Sequence, residues 1–152
     1  MQFVPKEKLE EFIGVEREPS DWLLIDQDRI NQFAEATLDH QFIHVDPDQA
    51  AKTPFGTTIA HGFLTLSLVT HLATFTSVAP EGIAMAINYG SDKVRFISPV
   101  RCGQRIRAHS VVQSVAEKTP GQILIKNLVT IEIEGEQKPA LVAEVLSLFI
   151  LA

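Results

Sequence analysis

Residues 60 to 78, AHGFLTLSLVTHLATFTSV, are the stretch that decides the fold of this chain. Leucine, phenylalanine and valine fall on nearly every face of the helix it predicts, and a helix that is apolar all round belongs in a core. From Ile59 to Ala79 there is no Asp, Glu, Lys or Arg, but His61, His71 and six Ser or Thr residues interrupt the run. We therefore predict a buried helix of a soluble protein rather than a membrane segment.

Beyond this helix the apolar period changes to two residues, which is typical of strands. The predicted strands have rough limits of 83 to 89, 92 to 97, 104 to 116, 121 to 134 and 139 to 151. A long buried helix followed by antiparallel strands predicts an α+β fold, with a curved sheet around the helix. The edge strands of such a sheet need protection, so we expect a homodimer or a larger homo-oligomer.

The region before the central helix contains three helix signals. Residues 4 to 14, VPKEKLEEFIG, predict a short amphipathic helix. Asp26 is a predicted N-cap for a helix that ends near Thr37. Asp46 and Pro47 predict the start of another helix, so the segment just before it is expected to be a turn.

Length and charge restrict the classes of function. The 152 residues suit one domain covering 1 to 152, and a net charge of -6 makes nucleic acid an improbable partner. The single cysteine, Cys102, cannot form an internal disulfide, and the polar start MQFVPKEKLE lacks the apolar core of a secretory signal. We expect a cytoplasmic protein.

The segment LDHQFIHVDPDQA, residues 38 to 50, contains the first candidate for chemistry. Asp39 and His44 are five residues apart across a predicted turn, so that both can contact one water molecule. Phe42 and Ile43 would supply an apolar wall that excludes bulk water and shifts both pKa values toward the working pH. Taken alone, this spacing is also common in surface pairs and Asx turns.

Gly62 supplies the second part of the site, because it falls in the first turn of the central helix, where N–H groups lack intrahelical partners. Without a Cβ it lets a carbonyl oxygen approach closely, and the helix dipole favours negative charge there. Acid, imidazole, water and oxyanion site together suit reversible addition of water to a double bond conjugated to a carbonyl.

Other interpretations of these residues remain open. His40 and His44 are four apart, with Asp39, Asp46 and His61 nearby, but metal binding at that spacing needs a helix, so we predict no metal site. His61 is interpreted as a structural donor beside Gly62.

Two further groups of polar residues can be explained without a role in function. Ser67, Thr70 and Thr74 form a stripe whose hydroxyls can bond to preceding carbonyls, although Thr70 could also touch an acyl chain. A basic cluster is either a solvated strand face or a binding surface for the phosphates of coenzyme A or for an acidic carrier protein. Its members are Lys93, Arg95, Arg101, Arg105 and Arg107.

The stretch FAEATLDHQFIHVDPDQA followed by IAHGFLTLSL resembles the MaoC-like dehydratases, or (R)-specific enoyl-CoA hydratases, and most of all the branch of nodulation protein N. With INYGSDKVRFISPVRCGQRIRA, the resemblance extends over about residues 22 to 108. It implies a hot-dog fold, usually dimeric, in which Asp39 and His44 activate water and the Gly62 N–H binds the thioester carbonyl.

The chain departs from the family signature at three positions. Leu38, Gln41 and Phe42 stand where that signature has Gly, Asn and Pro. Gln41 offers the same amide on a longer arm, and Phe42 narrows the acyl pocket, whose depth also depends on Phe63. Thr70 replaces a family serine and keeps its hydroxyl. These differences bear on the substrate more than on the chemistry.

The resemblance and the residues together predict a hydro-lyase of fatty acid metabolism. It would hydrate trans-2-enoyl thioesters, or dehydrate (R)-3-hydroxyacyl thioesters, with no metal or redox cofactor. Coenzyme A or an acyl-carrier protein would enter as part of the substrate. A hot-dog thioesterase and a non-catalytic acyl-thioester-binding protein are the alternatives.

Overall fold

A computed structural model describes residues 1 to 152. In chain order, its elements are β1 (Gln2–Val4), a 3₁₀ helix (Lys6–Phe12), β2 (Leu23–Leu24), α1 (Gln27–Thr37), α2 (Phe42–Val45), α3 (Pro47–Ala50), α4 (Gly62–Thr76), β3 (Val78–Pro80), β4 (Ile83–Phe96), β5 (Arg105–Thr119), β6 (Gln122–Ile133) and β7 (Leu141–Leu151). Five strands form an antiparallel sheet in the order β2-β5-β6-β7-β4, and β1 pairs with β3 in parallel.

The main core lies between α4 and the sheet. Leu64, Val69 and Leu72 of α4 pack in one cluster with inward-facing strand residues such as Ile131 and Ile133. Along β6 every second residue is buried, as the period of two predicts. Each fully buried Ile or Leu side chain contributes about 1.5–3 kcal/mol relative to exposure. The predicted α+β arrangement of a helix against a curved antiparallel sheet is confirmed.

The environment of α4 differs from the prediction in one respect. The sheet covers only one side of the helix, so Phe63, Ser67 and Phe75 on the opposite side are exposed. The apolar residues on every face therefore do not all reach a core within one chain. None of the helices combines the length and the apolar composition needed to cross a bilayer.

The strand boundaries hold except at one place. The strands expected at 83 to 89 and 92 to 97 are a single strand, β4. Register shifts between Asn88 and Gly90, and between Ser91 and Lys93, flank residues 90 and 91, the gap between the two expected strands. A bulge of this kind bends the strand without ending it.

The predicted caps before the central helix are confirmed. The Arg29 N–H donates to the Asp26 carboxylate at 2.9 Å, and the Gln49 N–H donates to Asp46 at 3.0 Å. The segment before Asp46 was expected to be a turn, and this expectation is wrong. Residues 42–45 form one helical turn, α2, which the Asp46 N–H closes by donating to the carbonyl of Phe42 at 2.9 Å.

Candidate active site

The structure brings Asp39, His44 and His61 together from three elements. Asp39 follows the end of α1, His44 lies in α2, and His61 is the residue before α4. One ring nitrogen of each histidine and one carboxylate oxygen of Asp39 all lie within 4.8 Å of one another. The proximity expected for Asp39 and His44 is therefore present, and His61 joins them.

The hydrogen bond of His44 determines which of its nitrogens can act as a base. Its Nδ1 lies 2.7 Å from the carbonyl oxygen of Ile59. Because a carbonyl only accepts, Nδ1 must carry the proton of the neutral ring and donate it there. Nε2 then holds the lone pair. The residue is only 7% exposed, so this tautomer is fixed in a buried site.

Burial sets the protonation state of His44. Desolvation lowers the pKa of His44 below its ordinary value of 6.5, and positive charge on His61 lowers it further. The bond to the Ile59 carbonyl and the negative charge of Asp39 act in the opposite direction but do not cancel the lowering. At neutral pH the ring is therefore a neutral base.

His61 contacts both members of this pair. Its ring stacks on that of His44, with centroids 3.7 Å apart and planes 24° apart. Its Nε2 donates to the backbone carbonyl of Asp39 at 2.9 Å, and the residue is 3% exposed. The expectation of a structural donor beside Gly62 matches this geometry. The stacking was not foreseen, since nothing in a spacing of 17 residues indicates it.

This arrangement suits a bound water better than a metal ion. Ring lone pairs lie in the ring plane, so two stacked imidazoles aim theirs nearly parallel instead of at one point, and His61 Nε2 is already a donor. A water that bridges two groups at normal hydrogen-bond lengths separates them by about 4.6 Å, which is inside the 4.8 Å that bounds the separations of these atoms. His40 is an exposed partner of Glu35, at 2.8 Å.

Gly62 begins α4 beside this cluster. Its N–H donates to no backbone carbonyl, as expected for the first turn of a helix. A Cβ at this position would lie 3.0 to 3.2 Å from three carbons of the Phe96 ring. The absence of a side chain therefore lets β4 approach the start of the helix closely, and the free N–H remains available to a ligand.

Residues 8–133 match the family described as MaoC like domain. The chain belongs to the MaoC-like domain family. Over 125 residues it is 50% identical to "3-hydroxyacyl-thioester dehydratase Z" of Mycobacterium tuberculosis, and the aligned residues cover 82% of each chain. Over 132 residues it is 48% identical to "Nodulation protein N" of Rhizobium meliloti, covering 86% of this chain and 82% of that one.

Solved structures agree on the fold of this MaoC-like domain. "Monoamine oxidase regulatory protein" of Archaeoglobus fulgius superposes with a TM-score of 0.81 at 22% identity, covering 100% of this chain and 97% of that one. "R-Hydratase PhaJ1" of Pseudomonas aeruginosa superposes with a TM-score of 0.74 at 24% identity, covering 100% and 89%. The predicted hot-dog fold is confirmed.

The remaining predicted site residues of the MaoC-like domain lie at different distances from this cluster. Gln41 precedes α2, and its N–H lies 3.4 Å from the carboxylate of Asp39. Phe63 is exposed and packs edge-on against Phe96, with centroids 5.7 Å apart. Thr70 lines a cavity of about 200 Å³ between α4 and the sheet. Their roles with substrate stay predictions.

Gln27 is a supporting residue that the sequence did not reveal. Its side-chain NH₂ donates to the carbonyl of His44 at 2.7 Å, and its side-chain oxygen accepts from the Thr58 hydroxyl. It thereby joins the first turn of α1 to α2 and to the loop before α4. A polar residue in a first helical turn is ordinary, so no local signal distinguished it.

The basic cluster is largely neutralised in the MaoC-like domain. Four of its five members form ion pairs with glutamates, namely Lys93 with Glu144, Arg101 with Glu136, Arg105 with Glu134 and Arg107 with Glu132. Arg105 and Arg107 pair across neighbouring strands, as opposite charges on one sheet face do. This geometry favours the interpretation as a solvated strand face.

Proposed function

We propose that this MaoC-like domain catalyses the reversible (R)-specific hydration of trans-2-enoyl thioesters and is thus a hydro-lyase. The observation that carries the proposal is the buried, neutral His44, one ring nitrogen of which lies within 4.8 Å of an Asp39 carboxylate oxygen, in a cluster whose third member, His61, directly precedes Gly62 with its free N–H. The name of the 50% identical relative, a 3-hydroxyacyl-thioester dehydratase, supports the same chemistry.

The proposal gives each group a role. Asp39 and His44 hold one water, and His44 Nε2 takes a proton from it while the water oxygen attacks C3 of the enoyl group. Negative charge moves to the thioester oxygen, where the Gly62 N–H and the positive end of α4 stabilise it, an effect of about 3–4 kcal/mol per donor. The proton then passes to C2, which completes addition of water across the double bond.

The first test is the loss of conjugated enoyl-thioester absorbance when purified protein is added to crotonyl-CoA, with the chirality of the product determined. We expect rapid loss and an (R)-3-hydroxy product. Release of free thiol would instead identify a thioesterase. Calorimetric binding with intact thioester recovered would identify an acyl-thioester-binding protein, and either result would contradict the hydratase.

The active form is proposed to be a homodimer that pairs through β4. This strand lies at the end of the sheet, bonds only to β7, and exposes Met85, Ile87 and Tyr89. An open strand edge with apolar side chains is a surface that proteins normally cover. Light scattering should give the mass of a dimer, and Met85→Lys should shift it toward monomer. A monomeric wild type would contradict the pairing.

The substrate carrier and the cellular location are further parts of the proposal. The reaction as written needs no metal or redox cofactor, because water, base and oxyanion donor suffice. Since most of the basic cluster is ion-paired, little free positive charge remains there to bind either the phosphates of coenzyme A or an acidic carrier protein. We propose coenzyme A thioesters of cytoplasmic fatty acid metabolism as the substrates, and comparing crotonyl-CoA with a crotonyl carrier protein tests this choice.

A further inference from the structure

The cavity between α4 and the sheet contains a polar group that the proposed reaction does not use. Asn127 of β6 lines this cavity, is only 6% exposed, and has no hydrogen-bond partner for its Oδ1. Its neighbours along the same face of β6, Ile125 and Val129, are buried apolar core residues. Burying a polar group without a partner costs about 1–3 kcal/mol, so the position calls for an explanation.

Two more polar side chains extend from Asn127 across the cavity wall. Ser147 of β7 is its diagonal neighbour, because Asn127 pairs with Val145 and Ser147 lies two residues further on. Asn88 of β4 pairs directly with Ser147, and all three residues line the cavity. The sheet therefore presents a polar line within a mostly apolar wall.

Two of the three hydroxyls on the helix side of the cavity, those of Thr74 and Ser77, have hydrogen-bond partners, whereas the amide oxygen of Asn127 has none. Thr74 donates to the carbonyl of Thr70 at 2.6 Å, and Ser77 donates to that of Ala73 at 2.5 Å. Both bonds are made to carbonyls of the helix itself, and the bond of Thr74 is the kind that the sequence predicted for the stripe of Ser67, Thr70 and Thr74. The Asn127 amide can present an acceptor or, after a half turn, a donor, so either a hydroxyl or an oxo group can satisfy it.

The distance from the reacting carbons indicates which part of a substrate reaches this wall. Thr70 lines the cavity and lies eight residues after Gly62, which corresponds to about 12 Å along the helix at 1.5 Å per residue. An extended alkyl chain with C–C bonds of about 1.52 Å advances about 1.25 Å per carbon. A chain that is bound at Gly62 through its thioester carbonyl and runs along α4 would therefore reach the level of Thr70, at the edge of the cavity, near its tenth carbon.

We propose that this cavity selects acyl thioesters with a hydroxyl or oxo group near the tenth carbon, and that Asn127 is the residue that recognises this group. The inference rests on the proposed function, because it places an acyl thioester carbonyl at Gly62. It adds a substrate class, distally oxygenated medium-chain acyl groups, to the chemistry assigned to Asp39 and His44.

Calorimetric binding of two unreactive thioesters, 10-hydroxydecanoyl-CoA and decanoyl-CoA, tests the proposal independently of turnover. We expect the wild-type protein to bind the hydroxylated chain about tenfold more tightly, since one buried hydrogen bond is made instead of left unmade. Asn127→Leu, which has a similar volume, should bind decanoyl-CoA at least as well and lose the preference. Equal affinities in the wild type, or an unchanged ratio in Asn127→Leu, would overturn the proposal and leave water as the partner of the amide.

Two controls separate this result from other causes. Val145→Ala changes the volume of the same wall without changing its polarity, so it should alter both affinities by a similar factor. Crotonyl-CoA is too short to reach Asn127, so its hydration by the wild-type protein reports on the catalytic site independently of this cavity. Failure of crotonyl-CoA hydration in the wild type would count against the proposed function, whereas the binding ratio alone decides the role of Asn127.

Discussion

The imidazole rings of His44 and His61 stack with their centroids 3.7 Å apart, and His61 also donates to the backbone carbonyl of Asp39. The residue just before α4 thus contacts both proposed water-binding residues, His44 through its ring face and the backbone of Asp39 through its Nε2. Since it touches the proposed base and not the reacting atoms, His61 is a positioning residue.

Two substitutions separate the two contacts of His61. His61→Gln keeps a donor for the Asp39 carbonyl and removes the ring, whereas His61→Phe keeps a ring and removes the donor. We expect each to lower kcat/KM by about tenfold, the effect of a lost interaction of about 1.4 kcal/mol. Both remove the positive charge that lowers the pKa of His44, so the acid limb of the pH profile should move to higher pH. An acid limb that stays in place in both variants would contradict this role.

Asp39→Asn and His44→Gln should each lower turnover of crotonyl-CoA by two or more orders of magnitude, because each removes a group that holds or activates the water. Thermal unfolding should show that both variants remain folded. His40→Gln is the matched control, because His40 lies in the same segment but pairs with exposed Glu35. Its turnover should equal that of the wild type, and full activity in both site variants would refute the assignment.

The lowered pKa of His44 gives a pH dependence of known sign. Below pH 6.5 the unfolded chain protonates this histidine before the folded chain does, so protons favour unfolding. The stability that His44 provides is complete above pH 6.5 and is lost as the pH falls through the lower, folded pKa. Urea unfolding at pH 7.5 and pH 5.5 should show a smaller decrease for His44→Gln than for the wild type. Equal decreases would mean that burial does not lower the pKa.

Leu38→Gly should stabilise the protein. Leu38 ends α1 with φ of 62° and is 80% exposed, so it takes a left-handed conformation without compensating burial. That conformation costs a residue with a Cβ about 1–2 kcal/mol. Glycine avoids this cost, but its greater conformational entropy in the unfolded state offsets part of the gain. We expect a net gain of about 0.5–1 kcal/mol in the free energy of unfolding. Leu38→Ala keeps a Cβ and should give no such gain.

Gly62→Ala should reduce activity by displacing the start of α4. The new methyl group would meet the Phe96 ring at 3.0 to 3.2 Å, so the ring or the helix must move. Phe96 is half-exposed, and shortening it in the double variant Gly62→Ala/Phe96→Ala should restore most of the turnover of crotonyl-CoA. If the double variant is as inactive as the single one, the methyl group obstructs the substrate directly.

Local signals in the sequence were sufficient for much of this fold. Asp26 and Asp46 act as the predicted caps because a cap depends on residues three positions away. The alternation along β6 likewise follows from neighbours in sequence. The continuity of β4 could not be predicted from neighbours in sequence. Gly90 by itself favours a turn, whereas pairing with β7 makes that region a bulge within one strand.

The site was predictable only in outline. The spacing of Asp39, His44 and Gly62 indicated their association, which the structure bears out as proximity. The stacking of His61 and the bridge from Gln27 to Thr58 depend on how separate elements pack. Asn127 could not be identified, because an isolated asparagine in a strand carries no sign of whether its amide finds a partner.

The exposure of Asp39 bears on how water reaches the site. Each hydration consumes one water, and the Asp39 side chain is 55% exposed, whereas neither Asp39 nor His44 lines the cavity under α4. Replenishment of the nucleophile can thus proceed from bulk solvent past Asp39 while an acyl chain still fills the cavity. With the proposed acyl site in the cavity, the two reactants would use separate routes, and a longer acyl chain would leave the route of the water open.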